Sequence, residues 1–136
     1  MFMKVLVPTD GSEASAKARQ AAYEVAKKFN IPVVALYVME PSPYVNVAEY
    51  ANAARAEADQ VIATVKEECK EQGIKGECVL LEFSHVDQGI LEQAKEHHCD
   101  LIVMGTHGRR GLNRLLMGSV ASNVLSQSKI PVLVIP

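Results

Sequence analysis

Residues 101–120 read LIVMGTHGRRGLNRLLMGSV, and this stretch carries the strongest evidence for the fold. Its first four residues, Leu101–Met104, are all apolar, as expected of a strand covered on both faces of a parallel sheet. After a glycine-rich segment, apolar residues return at helical spacing: Val120, Ala121, Val124 and Leu125. A buried strand, a glycine-rich loop and an amphipathic helix together indicate an α/β fold.

The same alternation of strand and helix continues along the rest of the chain. Five apolar runs predict strands: Lys4–Pro8, Val33–Val38, Cys78–Phe83, Leu101–Met104 and Ile130–Ile135. The segments between them predict helices that begin after Ser12, at Ala48 (ending near Gln72), after Ser84 and at Gly118-Ser119. Ser84 is the predicted N-cap of its helix because Asp87 stands three residues later. This alternation predicts one α/β domain over residues 1–136, an open five-stranded parallel sheet with helices on both faces.

Composition excludes several classes of function. The chain has 14 Lys and Arg residues against 16 Asp and Glu residues, so no excess of positive charge favours nucleic acid. It has 4 Tyr, 3 Phe and no Trp, which is too few aromatic side chains for a base-stacking platform. The amino-terminal apolar stretch is too short for a signal peptide or a membrane span. We therefore predict a cytoplasmic protein that binds neither nucleic acid nor membrane.

The cysteines indicate neither a disulfide framework nor a zinc site. Cys69, Cys78 and Cys99 are an odd number without CxxC spacing. The run His97-His98-Cys99 resembles a metal-binding motif, but no acidic residue or histidine stands four residues away from it. We interpret the run as a helix end, where histidines favour the negative pole of the helix dipole.

The segment from Gly105 to Ser119 is the best candidate for a binding site. Glycines at its start, Gly105 and Gly108, allow main-chain N–H groups to approach a ligand closely. Gly118 and Ser119 then open a helix, whose N-terminus attracts anions. We predict phosphate binding here, with Ser119 Oγ adding a hydrogen bond. The alternative is that the glycines only turn the chain and Ser119 only caps the helix.

Two better-known phosphate-binding motifs are excluded. A P-loop requires lysine before the serine at the helix start, and here Met117 and Gly118 precede Ser119. A dinucleotide-binding fingerprint requires GxGxxG after the first strand, where this chain has Pro8-Thr9-Asp10-Gly11. The phosphate interpretation therefore depends on the segment after the fourth strand.

Asp10 follows the first strand directly. Its carboxylate would accept hydrogen bonds from a ribose diol, and the alternative is an Asx turn within Thr9-Asp10-Gly11-Ser12. Ligands in open α/β sheets bind where the strand order reverses. If Asp10 and Gly105 contact one ligand, the first and fourth strands must be neighbours. This condition predicts the strand order 3-2-1-4-5.

With these residues the sequence resembles the universal stress protein family, in its ATP-binding branch. That branch has Gly, two residues, Gly, nine residues and then Gly-Ser or Gly-Thr, and Gly105, Gly108, Gly118 and Ser119 match this spacing. The stretches VLVPTDGS, DLIVMGTHGRRG, MGSVASNV and PVLVIP are also similar to the family. The resemblance covers the whole chain and implies a Rossmann-like fold of the adenine nucleotide alpha hydrolase type.

The resemblance also implies roles for individual residues. Asp10 would hold the ribose, and main-chain atoms near Val38 would meet the adenine. The phosphates of ATP, ADP or AMP, with Mg²⁺ or Mn²⁺, would be surrounded by Gly105, Gly108, Gly118, Ser119 and Val120. The full set of candidate nucleotide-binding residues is Pro8, Thr9, Asp10, Val38, Met104, Gly105, His107, Gly108, Arg109, Gly118, Ser119 and Val120. The branch is typically homodimeric.

Two functional hypotheses follow. In the first, the protein is a nucleotide-dependent binding module, in which ATP alters a surface that an unknown protein partner recognises. In the second, it is a slow ATPase or self-phosphorylating protein, with His107 or Asp10 orienting water, Arg109 or Arg110 stabilising charge and Ser119 as acceptor. We favour the binding module, because no carboxylate–histidine pair is visible in the sequence.

The carboxyl-terminal strand predicts self-association. In the order 3-2-1-4-5 the strand Ile130–Ile135 is an edge, yet it is apolar and carries no protecting charge. Pairing with its twofold copy would cover this edge and produce an isologous dimer.

Overall fold

The computed structural model describes residues 1–40, 48–107 and 117–136. Strands and helices alternate through these residues as the sequence predicts. In chain order they are β1 (Val5–Pro8), α1 (Glu13–Phe29), β2 (Val33–Met39), α2 (Ala48–Gln72), β3 (Gly76–Glu82), α3 (Val86–Glu96), β4 (Leu101–Gly105), α4 (Ser119–Gln127) and β5 (Val132–Ile135).

The strands form one parallel sheet in the order β3-β2-β1-β4-β5, which confirms the predicted order. β1 lies at the centre, where Val5 pairs with Val33 of β2 on one side and with Leu101 of β4 on the other. The carboxyl ends of β1, β2 and β4 therefore meet at the same edge of the sheet. The strand order reverses between β1 and β4, so this edge is where a ligand is expected.

Each strand divides its side chains between two apolar layers, because successive side chains point to opposite faces. The layer on the α1/α2 face contains Val5, Val7 and Val103, packed against α1 and α2. The layer on the α3/α4 face contains Leu6, Ile102 and Met104, packed against α3 and α4. Nearly all these strand side chains are fully buried.

The caps of α1 agree with its sequence. Ser12 is the N-cap, and its Oγ accepts a hydrogen bond of 3.1 Å from the backbone N–H of Ser15. Asn30 ends the helix in the left-handed conformation, with a φ of 55°, which asparagine adopts more readily than most residues. The helix is thereby confined to the segment between the first two strands.

The predicted cap of α3 was wrong. His85, not Ser84, is the N-cap, and it makes no side-chain cap hydrogen bond. The extended pairing continues past the end of β3, because Phe83 N donates to Met39 O at 3.0 Å. The helix therefore begins at Val86, and Asp87 lies one position too early for a capping box.

Three strand starts also differ from the predictions, and β1 begins at Val5 rather than Lys4. β3 begins at Gly76, two residues earlier than predicted, because its pairing with β2 starts at Val33 opposite Gly76. β5 begins at Val132 rather than Ile130, since Ile130 N donates to Ser128 Oγ instead of a neighbouring strand. A search for apolar runs misses exposed residues that pair in the sheet, such as Gly76. It also includes apolar residues that do not pair, such as Ile130.

The helix end at His97 was predicted correctly. His97 is the C-cap of α3, and His98 has a positive φ of 58°. Cys69, Cys78 and Cys99 are all free thiols. Among residues 1–40, 48–107 and 117–136, no three His, Cys, Asp or Glu side chains form a metal-binding group. Within the same ranges, no helix is both long and apolar enough to cross a bilayer.

Candidate functional site

A cavity of about 830 Å³ opens at the carboxyl edge of the sheet, between the ends of β2, β1 and β4. The described candidate residues all line it: Pro8, Thr9, Asp10, Val38, Met104, Gly105, His107, Gly118, Ser119 and Val120. Gly108 and Arg109, together with Arg110, lie outside the described residues. The fold therefore brings together residues that are more than 100 positions apart in the sequence, while their contacts with a ligand stay predictions.

The N-terminus of α4 supplies hydrogen-bond donors to this cavity. The first intrahelical bond runs from Ser122 N to Gly118 O at 3.0 Å, so the N–H groups of Ser119, Val120 and Ala121 have no acceptor within the helix. Gly118 is the N-cap and makes no side-chain bond. The alternative in which Ser119 caps the helix is therefore wrong, because Ser119 is already the first helical residue.

Gly118 packs closely against the end of β4. Its N–H donates to Thr106 O at 2.8 Å, and a Cβ on Gly118 would lie 2.9 Å from the same oxygen. Because that neighbour is backbone, a side chain at position 118 would push α4 away from β4. Glycine thus keeps the α4 donors beside the strand end, as a close main-chain approach to a ligand requires.

His107 has one ring nitrogen bonded and one without a partner. Its Nδ1 lies 3.0 Å from Thr106 Oγ1. Its Nε2 is buried and has no hydrogen-bond partner among the residues that the structure describes. A buried polar atom of this kind costs free energy unless something binds it. The residue itself lines the cavity.

Asp10 forms the Asx turn that the sequence left open. Its Oδ1 accepts a hydrogen bond of 2.9 Å from Ser12 N, and Gly11 within the turn has a positive φ of 81°. The turn holds the half-buried carboxylate in the cavity lining. The Asx turn and a ribose contact are compatible, because a carboxylate can accept about four hydrogen bonds.

The backbone of Val38 faces a gap beside β1. Leu36 O accepts from Thr9 N on the β1 side, and Met39 O accepts from Phe83 N on the β3 side. The alternation of strand backbone therefore directs the N–H and C=O of Val38 toward β1. Since β1 ends at Pro8, opposite Leu36, its ladder does not extend to Val38. This geometry suits the polar edge of a base.

The sequence did not identify several residues of the cavity wall. Ala51, Ala54 and Glu57 line it from α2, and Glu82 and Asp87 line it from the ends of β3 and α3. Helical spacing places the α2 residues on one face, but nothing in the sequence shows that this face reaches the site. With Asp10, the wall contains several carboxylates, which disfavour a bare polyanion.

Comparisons with known proteins agree with this architecture. The model of the universal stress protein family matches residues 1–136. A universal stress protein of Methanocaldococcus jannaschii is 38% identical over 99% of this chain and 82% of its own length. A member of the family from Burkholderia pseudomallei, whose crystal structure is known, has a TM-score of 0.81 and is 30% identical, covering 98% of this chain and 95% of that one.

A further crystal structure is that of a universal stress protein in complex with cAMP. It has a TM-score of 0.77 and is 25% identical, covering 99% of this chain and 97% of that one. The family model, the sequence relative and the solved structures each extend over nearly the whole length of the chain. This chain belongs to the universal stress protein family.

Proposed function

We propose that this protein binds ATP in the cavity at the carboxyl edge of its sheet. The supporting observation is the order of three features across neighbouring strands. The backbone N–H and C=O of Val38 lie at the end of β2. Asp10 lies at the end of β1, and the N–H donors of Ser119–Ala121 lie beside the end of β4. β2 and β4 are separated by two strand spacings, about 10 Å. Base, ribose and phosphates follow one another at that scale and in that order.

Phosphate fits the α4 end of the cavity. The N–H groups of Ser119–Ala121 are aligned at the positive pole of the helix dipole, which favours anions. The buried Nε2 of His107 would gain a partner from a phosphate oxygen. An adenine nucleotide is also what the cAMP-bound family member holds. The chain's own contribution to recognition is therefore mostly main-chain, at both the base and the phosphate ends.

A divalent cation would accompany the triphosphate. The described residues provide no group of three His, Cys, Asp or Glu side chains that could hold a metal on its own. Mg²⁺ or Mn²⁺ would thus be held chiefly by phosphate oxygens, as is common for Mg²⁺ in nucleotide sites. Its charge would also reduce repulsion between the triphosphate and the carboxylates of the wall, such as Asp10 and Asp87.

Binding, rather than hydrolysis, is the activity that the geometry favours. A histidine that activates water is usually oriented by a carboxylate. Here Nδ1 of His107 is engaged by the hydroxyl of Thr106 instead. We therefore propose a nucleotide-dependent interaction module whose ATP occupancy is read by another protein. The three free thiols are consistent with a reducing compartment such as the cytoplasm.

Titration calorimetry with Mg·ATP tests the site directly through Gly118→Ala. The added Cβ would meet Thr106 O at 2.9 Å, so the donors of α4 would be displaced from the strand end. We expect ATP affinity to fall at least tenfold, the loss of about one charge-assisted hydrogen bond. Ser126→Ala, at an exposed position of α4, should leave the affinity unchanged.

Thermal melting provides the second measurement. A ligand that binds only the folded state stabilises it by about 2.7 kcal/mol at a hundred times Kd, so Mg·ATP should raise the melting temperature of the wild type. No heat and no melting shift at millimolar Mg·ATP would refute the proposal. Phosphate release that is rapid and depends on Gly118 would replace the binding module with the ATPase alternative.

We also propose that the protein forms a twofold dimer through β5. This strand is the last in the sheet order, and Leu133 is 42% exposed. Ile102 N donates to Pro131 O and Thr106 N donates to Ile135 O. The alternation of backbone groups therefore turns the N–H of Val132 and Val134 away from β4. An open apolar edge of this kind is stabilised by pairing with a second copy.

Sedimentation velocity of Val134→Pro tests the dimer. Proline removes the outward N–H but no bond to β4, so we expect a shift from dimer to monomer at micromolar concentration. Val134→Thr retains both the N–H and the β-branched shape, and it should remain dimeric. A wild-type monomer, or a Val134→Pro dimer of unchanged affinity, would contradict pairing through this edge.

A further inference from the structure

A largely buried ion pair, which the site described above does not use, is hydrogen-bonded to the residue before Asp10. Arg19 of α1 is only 6% exposed, and its Nε donates to Glu68 Oε1 of α2 at 2.9 Å. Its Nη2 donates to Glu68 Oε2 at 3.3 Å. Tyr23, which is fully buried, donates its hydroxyl to the same carboxylate at 2.8 Å. The guanidinium is therefore held in one orientation by a two-point contact with Glu68, whose carboxylate Tyr23 holds in turn.

The remaining bond of Arg19 points toward the cavity. Its Nη1 donates to Thr9 Oγ1 at 2.7 Å, a short charge-assisted bond. Thr9 is 4% exposed and is the residue directly before Asp10. An ion pair that only joined α1 to α2 would not need this third contact. Through this bond the guanidinium instead fixes Thr9, the residue that follows β1 and begins the turn.

A continuous series of hydrogen bonds leads from Thr9 to the carboxylate of Asp10. Thr9 Oγ1 donates to Ser15 Oγ at 3.2 Å, and Ser15 Oγ donates to Ser12 O at 2.9 Å. Ser12 N then donates to Asp10 Oδ1 at 2.9 Å. The turn between β1 and α1 is thus held by the bond from Arg19 to Thr9 and by its own Asx bond.

We propose that Arg19 is a positioning residue for ribose recognition, acting through Thr9 and the turn 9–12 to hold the Asp10 carboxylate in the cavity. This inference rests on the proposed ATP site and adds a residue that makes no contact with the nucleotide. Glu68 holds the guanidinium in turn, and Tyr23 holds Glu68, so α2 contributes to ribose recognition without lining this part of the site. Loss of the Arg19–Thr9 bond would loosen the turn without removing the carboxylate.

The discriminating measurement is the affinity ratio for ATP over 2′,3′-dideoxy-ATP, each with Mg²⁺, by titration calorimetry. The dideoxy compound lacks both hydroxyls that a carboxylate can bind, so wild type should prefer ATP by roughly tenfold to a hundredfold. Arg19→Lys and Thr9→Val should each reduce this ratio to about threefold or less. Thr9→Ser, which keeps the hydroxyl, should restore it.

The ATP/GTP ratio separates positioning from general damage. Base contacts lie at Val38, away from the turn, so Arg19→Lys and Thr9→Val should leave this ratio unchanged. A merely structural role would lower the melting temperature and leave the ribose ratio intact, which would overturn the inference. Arg55→Lys alters an exposed pair with Asp59 on α2, and it should change neither ratio.

The remaining outcomes are also decisive. If Arg19→Lys does not fold, Glu68→Gln decides the question, because Glu68 holds the guanidinium but does not line the cavity, and it should lower the ribose ratio in the same way. Equal wild-type affinity for ATP and its dideoxy analogue would overturn the inference while the proposed ATP site stands. Absence of wild-type binding to any adenine nucleotide would overturn both.

Discussion

The α1/α2 face and the α3/α4 face of the sheet receive side chains from the same strands, yet their layers differ in chemistry. The α3/α4 layer is apolar throughout its buried set: Leu6, Val34, Leu36, Ile90, Ala94, Cys99, Ile102, Met104, Ala121 and Val124. The described chain also has three buried polar residues, and all of them lie on the α1 side. Thr9 follows β1, and Ser15 and Arg19 lie in α1. One layer is a plain apolar core, and the other includes a polar network beneath the site.

The difference shows how a small domain separates stability from positioning. Apolar burial is non-directional, so the α3/α4 layer stabilises the sheet without fixing any one polar atom. A buried ion pair is directional but gains little net stability, because its desolvation offsets the attraction. The Arg19–Glu68 pair is thus better explained by the geometry that it imposes on the turn than by the stability that it adds.

The largest expected effect comes from the apolar layer. Ile102→Ala in β4 removes a fully buried side chain and should lower the free energy of unfolding by about 4 kcal/mol. Ile102→Val keeps most of the volume and should cost only about 1 kcal/mol. Urea unfolding measures both. A loss below 1 kcal/mol for Ile102→Ala would show that this layer is not the main source of stability.

The next effect concerns the ion pair. Arg19→Met leaves the Glu68 carboxylate without its cation and should cost about 3 kcal/mol. The double variant Arg19→Met/Glu68→Leu removes both charges and should recover most of that loss. A double variant as unstable as the sum of the single ones would mean that the two charges do not act as a pair. Urea unfolding of the four proteins completes the cycle.

The sequence was sufficient to predict the fold because its signals are local and repeated. Runs such as Leu101–Met104 identify buried strands, and the alternation with helices leaves few topologies. Pairing Asp10 with Gly105 then predicted the strand order. The errors fell at element ends, as at Ser84 and Cys78, where tertiary pairing rather than local composition decides which residue starts a helix or strand.

The candidate site was predictable only where its residues carry a motif. Gly118 and Asp10 could be identified from spacing and from their place after a strand. Arg19 and Glu68 could not, because a charged residue on a helix predicts a solvated surface unless its burial is known. Nothing in the sequence separates Arg19 from the exposed Arg55, and only the packing of α1 against α2 distinguishes them.

The smallest expected effect is a loss of stability at high pH, to which a cysteine on each side of the sheet contributes. Burial raises the pKa of the Cys99 thiol, in the α3/α4 layer, and that of Cys78, beside the α1/α2 layer, from 9.0 to about 11. An unfolded chain releases these protons above pH 9, whereas the folded protein retains them until about pH 11. Stability is therefore complete below pH 9 and declines as the pH rises from 9 to 11, by about 1 kcal/mol per pH unit for each buried thiol.

Urea unfolding under reducing conditions at pH 8, 9 and 10 measures this decline. Burial and the hydrogen bond to Glu68 raise the pKa of Tyr23 above its usual value of 10.0, so its own contribution begins as the unfolded chain titrates near pH 10 and is small over most of this range. Cys99→Ala should remove the larger part of the decline, because Cys99 is only 6% exposed, and Cys78→Ala the smaller part. Equal stability of the wild type at pH 8 and pH 10 would show that neither layer excludes water from its thiol, and an unchanged decline in Cys99→Ala would assign the effect to the α1/α2 side alone.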